Sequence, residues 1–135
     1  MAGQKKISIV ATSFHKKEVE TMLAEAKKVC KEKSLIVASE LWVPGSLETP
    51  LALQRELKSK NIDGAVVLGI IERGETKHGL VMGMAVFSAI IGIQLRSEKP
   101  IGVAILGPEI LAEQVQRRLR PYAKDAVLAV REMLK

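Results

Sequence analysis

The chain predicts an α/β fold, a single three-layer α/β/α domain built on a four-stranded parallel sheet. Three observations carry this. Short apolar, β-branched runs alternate with longer stretches of helical periodicity along the whole chain. The run Gly64-Ala65-Val66-Val67-Leu68-Gly69 is apolar on both faces of an extended backbone, as a strand covered by helices on two sides must be. A length of 135 residues, 47% of them hydrophobic, supports one core and leaves no room for a second domain, so residues 1–135 read as one unit.

The elements follow in order. Residues 6 to 12 read as a first strand, with Ser13 placed to cap a helix from about His15 to Lys33; Lys16 at the reciprocal position removes a capping box. Leu35 to Val43 reads as the second strand, ended by Pro44-Gly45. Leu51 to Lys60 is amphipathic, with Leu51, Leu53 and Leu57 opposed by Arg55, Lys58 and Lys60, and Pro50 sets its start. Gly64 to Ile70 is the third strand, and Gly79 to Leu95 is too long for anything but a helix. Ile101 to Leu106 gives the fourth strand, with Gly107-Pro108 as its terminating turn. A helix from Glu109 to about Leu119 is expected to be interrupted by Pro121 and to resume from Tyr122 to Leu134. Right-handed crossovers would then distribute the helices over both faces of the sheet.

Composition removes several function classes. Met1 to Lys6 runs straight into the first strand without a signal-peptide pattern, which predicts a cytoplasmic protein. Cys30 is the only cysteine and has no Cys or His partner at ligand spacing, so neither a disulfide nor a zinc site is expected. The formal charge is +6, but the lysines and arginines are spread over several helices and aromatics make up only 3%, so a basic nucleic-acid-binding module is the weaker reading of the charge. A membrane span at 79–95 is rejected, because Ser88, Gln94 and three glycines dilute it and strands flank it at βαβ spacing. That helix is nevertheless apolar nearly all round, more than one sheet face can cover. Ala85, Ala89 and Gly92 permit close approach, and a second apolar face containing Met82, Met84 and Phe87 is expected to meet another subunit.

The stretch Arg73-Gly74-Glu75-Thr76-Lys77-His78 joins the buried third strand to this helix. Loops at the carboxyl ends of parallel strands are where open α/β sheets take ligands, and the free N–H groups of the following helix attract anions. With a threonine hydroxyl and an imidazole beside such an anion, the loop is a candidate for proton transfer on a phosphorylated substrate; a solvated turn is the bland alternative. Three more loops share that edge: Ala11 to His15, Val43 to Pro50, and Gly107-Pro108.

Taken together, the Val-Pro-Gly-x-x-Glu-x-Pro turn at 43–50, the Arg-Gly-Glu-Thr-x-His run at 73–78, and the Gly-Pro turn followed by Gln114, Gln116 and Arg118 resemble the 6,7-dimethyl-8-ribityllumazine synthase family in its archaeal branch. The resemblance spans nearly the whole chain. It implies a flavodoxin-like fold and the condensation of 5-amino-6-(D-ribitylamino)uracil with 3,4-dihydroxy-2-butanone 4-phosphate to 6,7-dimethyl-8-ribityllumazine. Phosphate and water are released, and no metal or organic cofactor takes part. It also implies pentamers, twelve of which form an icosahedral capsid in many members, with active sites between subunits and riboflavin synthase as a candidate partner.

By the same resemblance, His78 is the acid/base residue. Glu75 and Thr76 hold phosphate chiefly through backbone N–H groups, and Arg118 supplies the countercharge. Phe14 stacks on the pyrimidine, Ser46, Leu47 and Glu48 serve the ribityl chain, and Ile70, Ile71 and Glu72 border the ring. Ile101 stands where many members carry phenylalanine. Read from the residues alone, Arg118 is better taken as an exposed helical charge beside Arg117 and Arg120, while Phe14 is also readable as a core residue at a helix start and Glu48 as a first-turn glutamate favoured by the helix dipole. Lys124 is either an ion-pair partner or solvated.

The chain also departs from the family pattern. Ser13 and His15 flank Phe14 where arginine and asparagine are frequent, Leu47 replaces a frequent aromatic, Glu72 replaces an aliphatic residue, and Gly79-Leu80 replaces an aromatic and an acid. These departures leave open a non-catalytic flavin-binding or cage-forming relative. An archaeal-type riboflavin synthase is disfavoured, because that enzyme lacks the Gly-Glu-Thr-x-His run.

Overall fold

The computed structural model describes residues 3–135. Its elements are β1 (Lys6–Thr12), α1 (Lys16–Glu32), β2 (Ile36–Val43), a 3-10 turn (Ser46–Glu48), α2 (Thr49–Leu57), β3 (Gly64–Glu72), α3 (His78–Ser97), β4 (Ile101–Ile110), α4 (Ala112–Val115), a second 3-10 turn (Gln116–Arg118) and α5 (Leu119–Met133). The strands form one parallel sheet in the order β2-β1-β3-β4. The expected fold class is therefore the observed one.

The period-2 alternation of side chains divides the core in two. Ile7, Ile9, Val66, Leu68 and Leu106 face one side and pack with Val19, Met22, Val29, Val127 and Val130 of α1 and α5. Val10, Val67, Ile71 and Ile105 face the other and meet Leu53, Leu57, Val86 and Ile90 of α2 and α3. Because β3 is central, six of its apolar residues and its two glycines are buried along almost its full length. Close packing makes particular demands on glycine here: a Cβ at Gly102 would collide with the carbonyl of Ala126 in α5.

Four local expectations are corrected. Ser13 does not cap α1; His15 occupies that position in left-handed backbone (φ 61°), and the Ser13 N–H instead donates to Val43 O at 2.7 Å. The α2 helix begins earlier than Leu51, directly after the 3-10 turn, with Pro50 in its first turn, and stops at Leu57. Nor does β4 stop at Gly107-Pro108. It bulges there and resumes, so that Ile70 pairs with Leu106 but Glu72 pairs with Ile110. Gly107 makes this bulge possible, since its φ is +91° and any Cβ would strike the carbonyl of Ile71. Finally, the last helical region breaks at the 3-10 turn 116–118 rather than at Pro121. That proline lies in the first turn of α5, where its missing N–H forfeits no helical hydrogen bond.

The α3 helix is long and apolar enough to cross a membrane by length and composition. One face, Gly83, Val86, Ile90 and Ile93, is buried against the sheet. The second apolar face differs in part from the one expected. Met82 and Phe87 pack against the core, whereas Val81, Met84, Ile91 and Leu95 are exposed, Leu95 by 71%. With Ser88 these exposed residues fall at a 3-4 spacing along one edge of the helix.

Candidate active site

The parallel sheet brings the carboxyl ends of β1, β2 and β3 to one edge, where they line a cleft of about 540 Å³. Its walls come from four segments. The β1–α1 loop supplies Phe14 and His15, the β2–α2 loop supplies Gly45 to Glu48, and the end of β3 supplies Ile70, Ile71 and Glu72. Arg73, Gly74, Thr76, His78, Gly79 and Met82 complete the lining from the β3–α3 loop and the start of α3.

Backbone hydrogen bonds hold the first two loops together. Ser13 and Phe14 donate to the carbonyls of Val43 and Pro44, the latter at 3.2 Å. Phe14 is thereby kept out of the core: its ring is 67% exposed and packs edge-on against His15, with centroids 4.7 Å apart. A ring this exposed at the mouth of a cleft is available to a flat ligand, and its exposure disposes of the core-residue alternative. On the adjacent segment, the buried Thr49 hydroxyl donates to Ser46 O at 2.7 Å and fixes the 3-10 turn that carries Leu47 and Glu48.

At the other wall, the His78 backbone N–H donates to the Thr76 hydroxyl at 3.3 Å, and His78 is the first residue of α3. The backbone N–H groups of Gly79 and Leu80 lie in the first turn, ahead of the Val81 to Lys77 bond that begins the helical ladder. An anion at this corner would meet those donors and the positive end of the helix, with the His78 imidazole alongside. Gly79 also permits the close start of α3, since a Cβ there would sit 3.3 Å from Glu72 O. Arg73 is the guanidinium lining the cleft, and its Nε lies 3.4 Å from Glu109 Oε2.

The structure thus gathers Phe14, Ser46, Leu47, Glu48, Ile70, Ile71, Glu72, Thr76 and His78 into one cleft. Three expected residues are not among its lining. Glu75 is exposed on the same loop. Ile101 begins β4 opposite Ala65, at the amino end of the sheet, so strand direction alone keeps it away from this protomer's cleft. Arg118 sits beyond α4 and donates from Nη1 to Gln114 O at 2.9 Å. Arg73 and Gly74 of the expected anion loop line the cleft too, and so do His15, Gly45, Gly79 and Met82, to which the sequence assigns no individual role. Each neighbours a selected residue or, for Met82, follows His78 by one helical turn. Among the described residues, no three His, Cys, Asp or Glu side chains are placed to hold a metal ion.

The fold and cleft define an α/β protein with an aromatic, carboxylate- and hydroxyl-lined cleft beside a helix start at the carboxyl edge of its sheet. Comparison with known proteins narrows this class. Residues 4–135 match the family model for 6,7-dimethyl-8-ribityllumazine synthase. Similar proteins of that name occur in Staphylothermus marinus (31% identity, covering 96% of this chain and 86% of the relative). Others are found in Metallosphaera sedula (34%, 90% and 81%) and Methanopyrus kandleri (31%, 96% and 92%). This chain belongs to the 6,7-dimethyl-8-ribityllumazine synthase family.

Proposed function

We propose that this chain condenses 5-amino-6-(D-ribitylamino)uracil with 3,4-dihydroxy-2-butanone 4-phosphate to give 6,7-dimethyl-8-ribityllumazine, phosphate and water. It is thus a transferase of riboflavin biosynthesis. The observation that carries the site assignment is the meeting of Phe14, Glu48 and His78 in one cleft from three separate loops. Their spacing suits a ring on Phe14, hydroxyl groups on Ser46 and Glu48, and a phosphorylated chain running to the start of α3.

In this assignment the backbone donors of the 74–80 segment and Thr76 bind the phosphate, which must leave as an anion. His78 removes and returns protons as the arylamine attacks the ketone, water departs, and the phosphate is eliminated. Holding both substrates in one orientation supplies much of the acceleration, because no covalent bond to the protein forms. Glu48 accepts hydrogen bonds from ribityl hydroxyls.

The same proposal includes assembly. The exposed edge Val81, Met84, Ile91 and Leu95 supports helix-to-helix packing of α3 about a fivefold axis, in a cytoplasmic pentamer. In such a ring the Arg118 and Ile101 of a neighbouring subunit, absent from the protomer's own cleft, would complete it. Closure of twelve pentamers into a capsid, and a partnership with riboflavin synthase, extend the proposal.

The test is incubation of the purified protein with both substrates. Lumazine fluorescence with equimolar phosphate release is expected. An assembled protein that binds lumazine but forms none would be a scaffold relative instead, and the catalytic proposal would fall.

A further inference from the structure

The Gln114, Gln116 and Arg118 run that follows the Gly-Pro turn has no part in the protomer's own cleft. Its side chains are nevertheless not equivalent surface groups. Gln114 and Arg118, four residues apart, are half-buried, whereas Gln116, Arg117 and Arg120 are exposed. Val115 and Leu119 beside them are buried and tie the segment to the core beneath α1 and α5. A guanidinium serving solubility alone is normally left in solvent, as Arg117 and Arg120 are.

Three hydrogen bonds of Gln114 account for the difference. Its backbone N–H donates to Leu111 O at 2.9 Å, and its side-chain Oε1 accepts from the Leu111 N–H at 2.9 Å. Leu111 is the extended residue that precedes α4, so these two bonds close the short helix onto the end of β4. The third bond runs forward along the chain: Gln114 O accepts from Arg118 Nη1 at 2.9 Å, across the 3-10 turn 116–118. The strand end is itself held, because the Arg73 N–H donates to Ile110 O at 2.8 Å. A line of contacts thus leads from β4 through Leu111 and Gln114 to one nitrogen of the guanidinium. That single bond leaves most of the guanidinium's N–H donors for an anion.

We infer that Gln114 is a positioning residue for the phosphate-binding arginine. Its side chain fixes α4 on the end of β4, its carbonyl fixes the guanidinium, and Arg118 therefore reaches the neighbouring subunit's cleft already oriented. A long, free arginine side chain has many rotamers to give up when it captures an anion. Here one is imposed beforehand, which lowers the cost of binding the phosphate. This role rests on the assignment of Arg118 to the neighbour's phosphate made above. It concerns one substrate only, because the pyrimidine is held by Phe14 and Glu48.

Steady-state kinetics on Gln114→Leu, which keeps the bulk of the side chain without its acceptor, and on Gln114→Glu, which keeps the acceptor, test it beside Arg118→Ala. Gln114→Leu should raise the KM for the phosphorylated substrate about 10-fold, and the inhibition constant of inorganic phosphate in parallel, with kcat and the pyrimidine KM within about 2-fold of wild type. Gln114→Glu should bring both raised constants back to within about 2-fold of wild type. A general loosening of the fold would not distinguish the two substrates, and Gln114→Ala should reproduce the split if leucine disturbs folding. A wild-type KM for the phosphorylated substrate in Gln114→Leu and Gln114→Ala, with that KM raised in Arg118→Ala, would overturn the positioning role and leave the phosphate assignment standing. Equal rises in the two KM values would overturn it as well. An unchanged KM in Arg118→Ala would overturn the assignment of Arg118 and the positioning role with it.

Discussion

Gly83 of α3 lies against Pro108 of β4 so closely that a Cβ on the glycine would fall 2.6 Å from the proline Cγ. The contact joins the helix that carries His78 to the bulge that follows Gly107. A hydrogen at this position is what allows α3 to rest on the strand and its first turn to reach the cleft. Gly83→Ala should therefore cost about 1–3 kcal/mol of stability through overpacking. It should also lower lumazine formation disproportionately, because the start of α3 is displaced. Urea denaturation and initial rates measured on the same preparation check this; a fully active, equally stable variant would contradict it.

His78 is exposed at the start of α3, so truncating it should leave stability within about 0.5 kcal/mol. His78→Ala should reduce kcat on the order of 10²-fold, with a residual rate from substrate positioning. Product fluorescence under saturation by both substrates measures this, and an undiminished kcat would remove His78 from its role.

The Phe14 ring is largely exposed and contributes little to the core. Phe14→Ala should accordingly melt close to the parent protein, while the KM for the pyrimidine substrate rises by about 10-fold from lost stacking, worth roughly 0.5–1.5 kcal/mol beyond area burial. The KM for the phosphorylated substrate should change less. Equal increases in both would argue against a stacking role.

Lysine at Met84 or Ile91 would put a charge on the exposed apolar edge of α3. Assembly through this edge predicts smaller species in sedimentation velocity and a raised KM for the phosphorylated substrate, as Arg118 of the neighbour is lost. Unchanged sedimentation would place any subunit interface elsewhere.

Cys30 is fully buried, and burial pushes its thiol up to about 11. In the unfolded chain the thiol ionises nearer pH 8.5–9, so above that range the unfolded state binds fewer protons than the folded one. Any stability contributed by the neutral thiol is present below about pH 9 and lost progressively toward pH 11. Cys30→Ser should flatten this alkaline decline, as followed by thermal melts between pH 8 and 11. Thiol reagents at pH 8 should label the native protein slowly and the denatured protein quickly.

Much of the architecture was legible because it is locally encoded. The apolar run at 64–69 could only be a covered strand, and the apolar stretch after Gly79 could only be a helix with more hydrophobic surface than one sheet face hides. The cleft was legible in outline, because parallel strands put all their carboxyl-end loops on one edge, and Phe14, Glu48 and His78 each lie in such a loop. Helix and strand ends were less so. Ser13 looked like a cap until its N–H was needed by Val43, and Pro121 looked like a break although the first turn of a helix tolerates proline.

By itself the sequence determined the class of fold, the edge of the sheet that holds the site, and the family, since periodicity, turn chemistry and motif spacing are properties of neighbouring residues. Only the tertiary structure decided that His15 meets Glu72, that Phe14 turns outward, that β4 continues past Gly107, and that Ile101 and Arg118 lie away from their own cleft. Those relationships depend on strand register, one bulge and the packing of helices distant in the chain. They are settled by the sum of many non-local contacts, and no local pattern of residues encodes them.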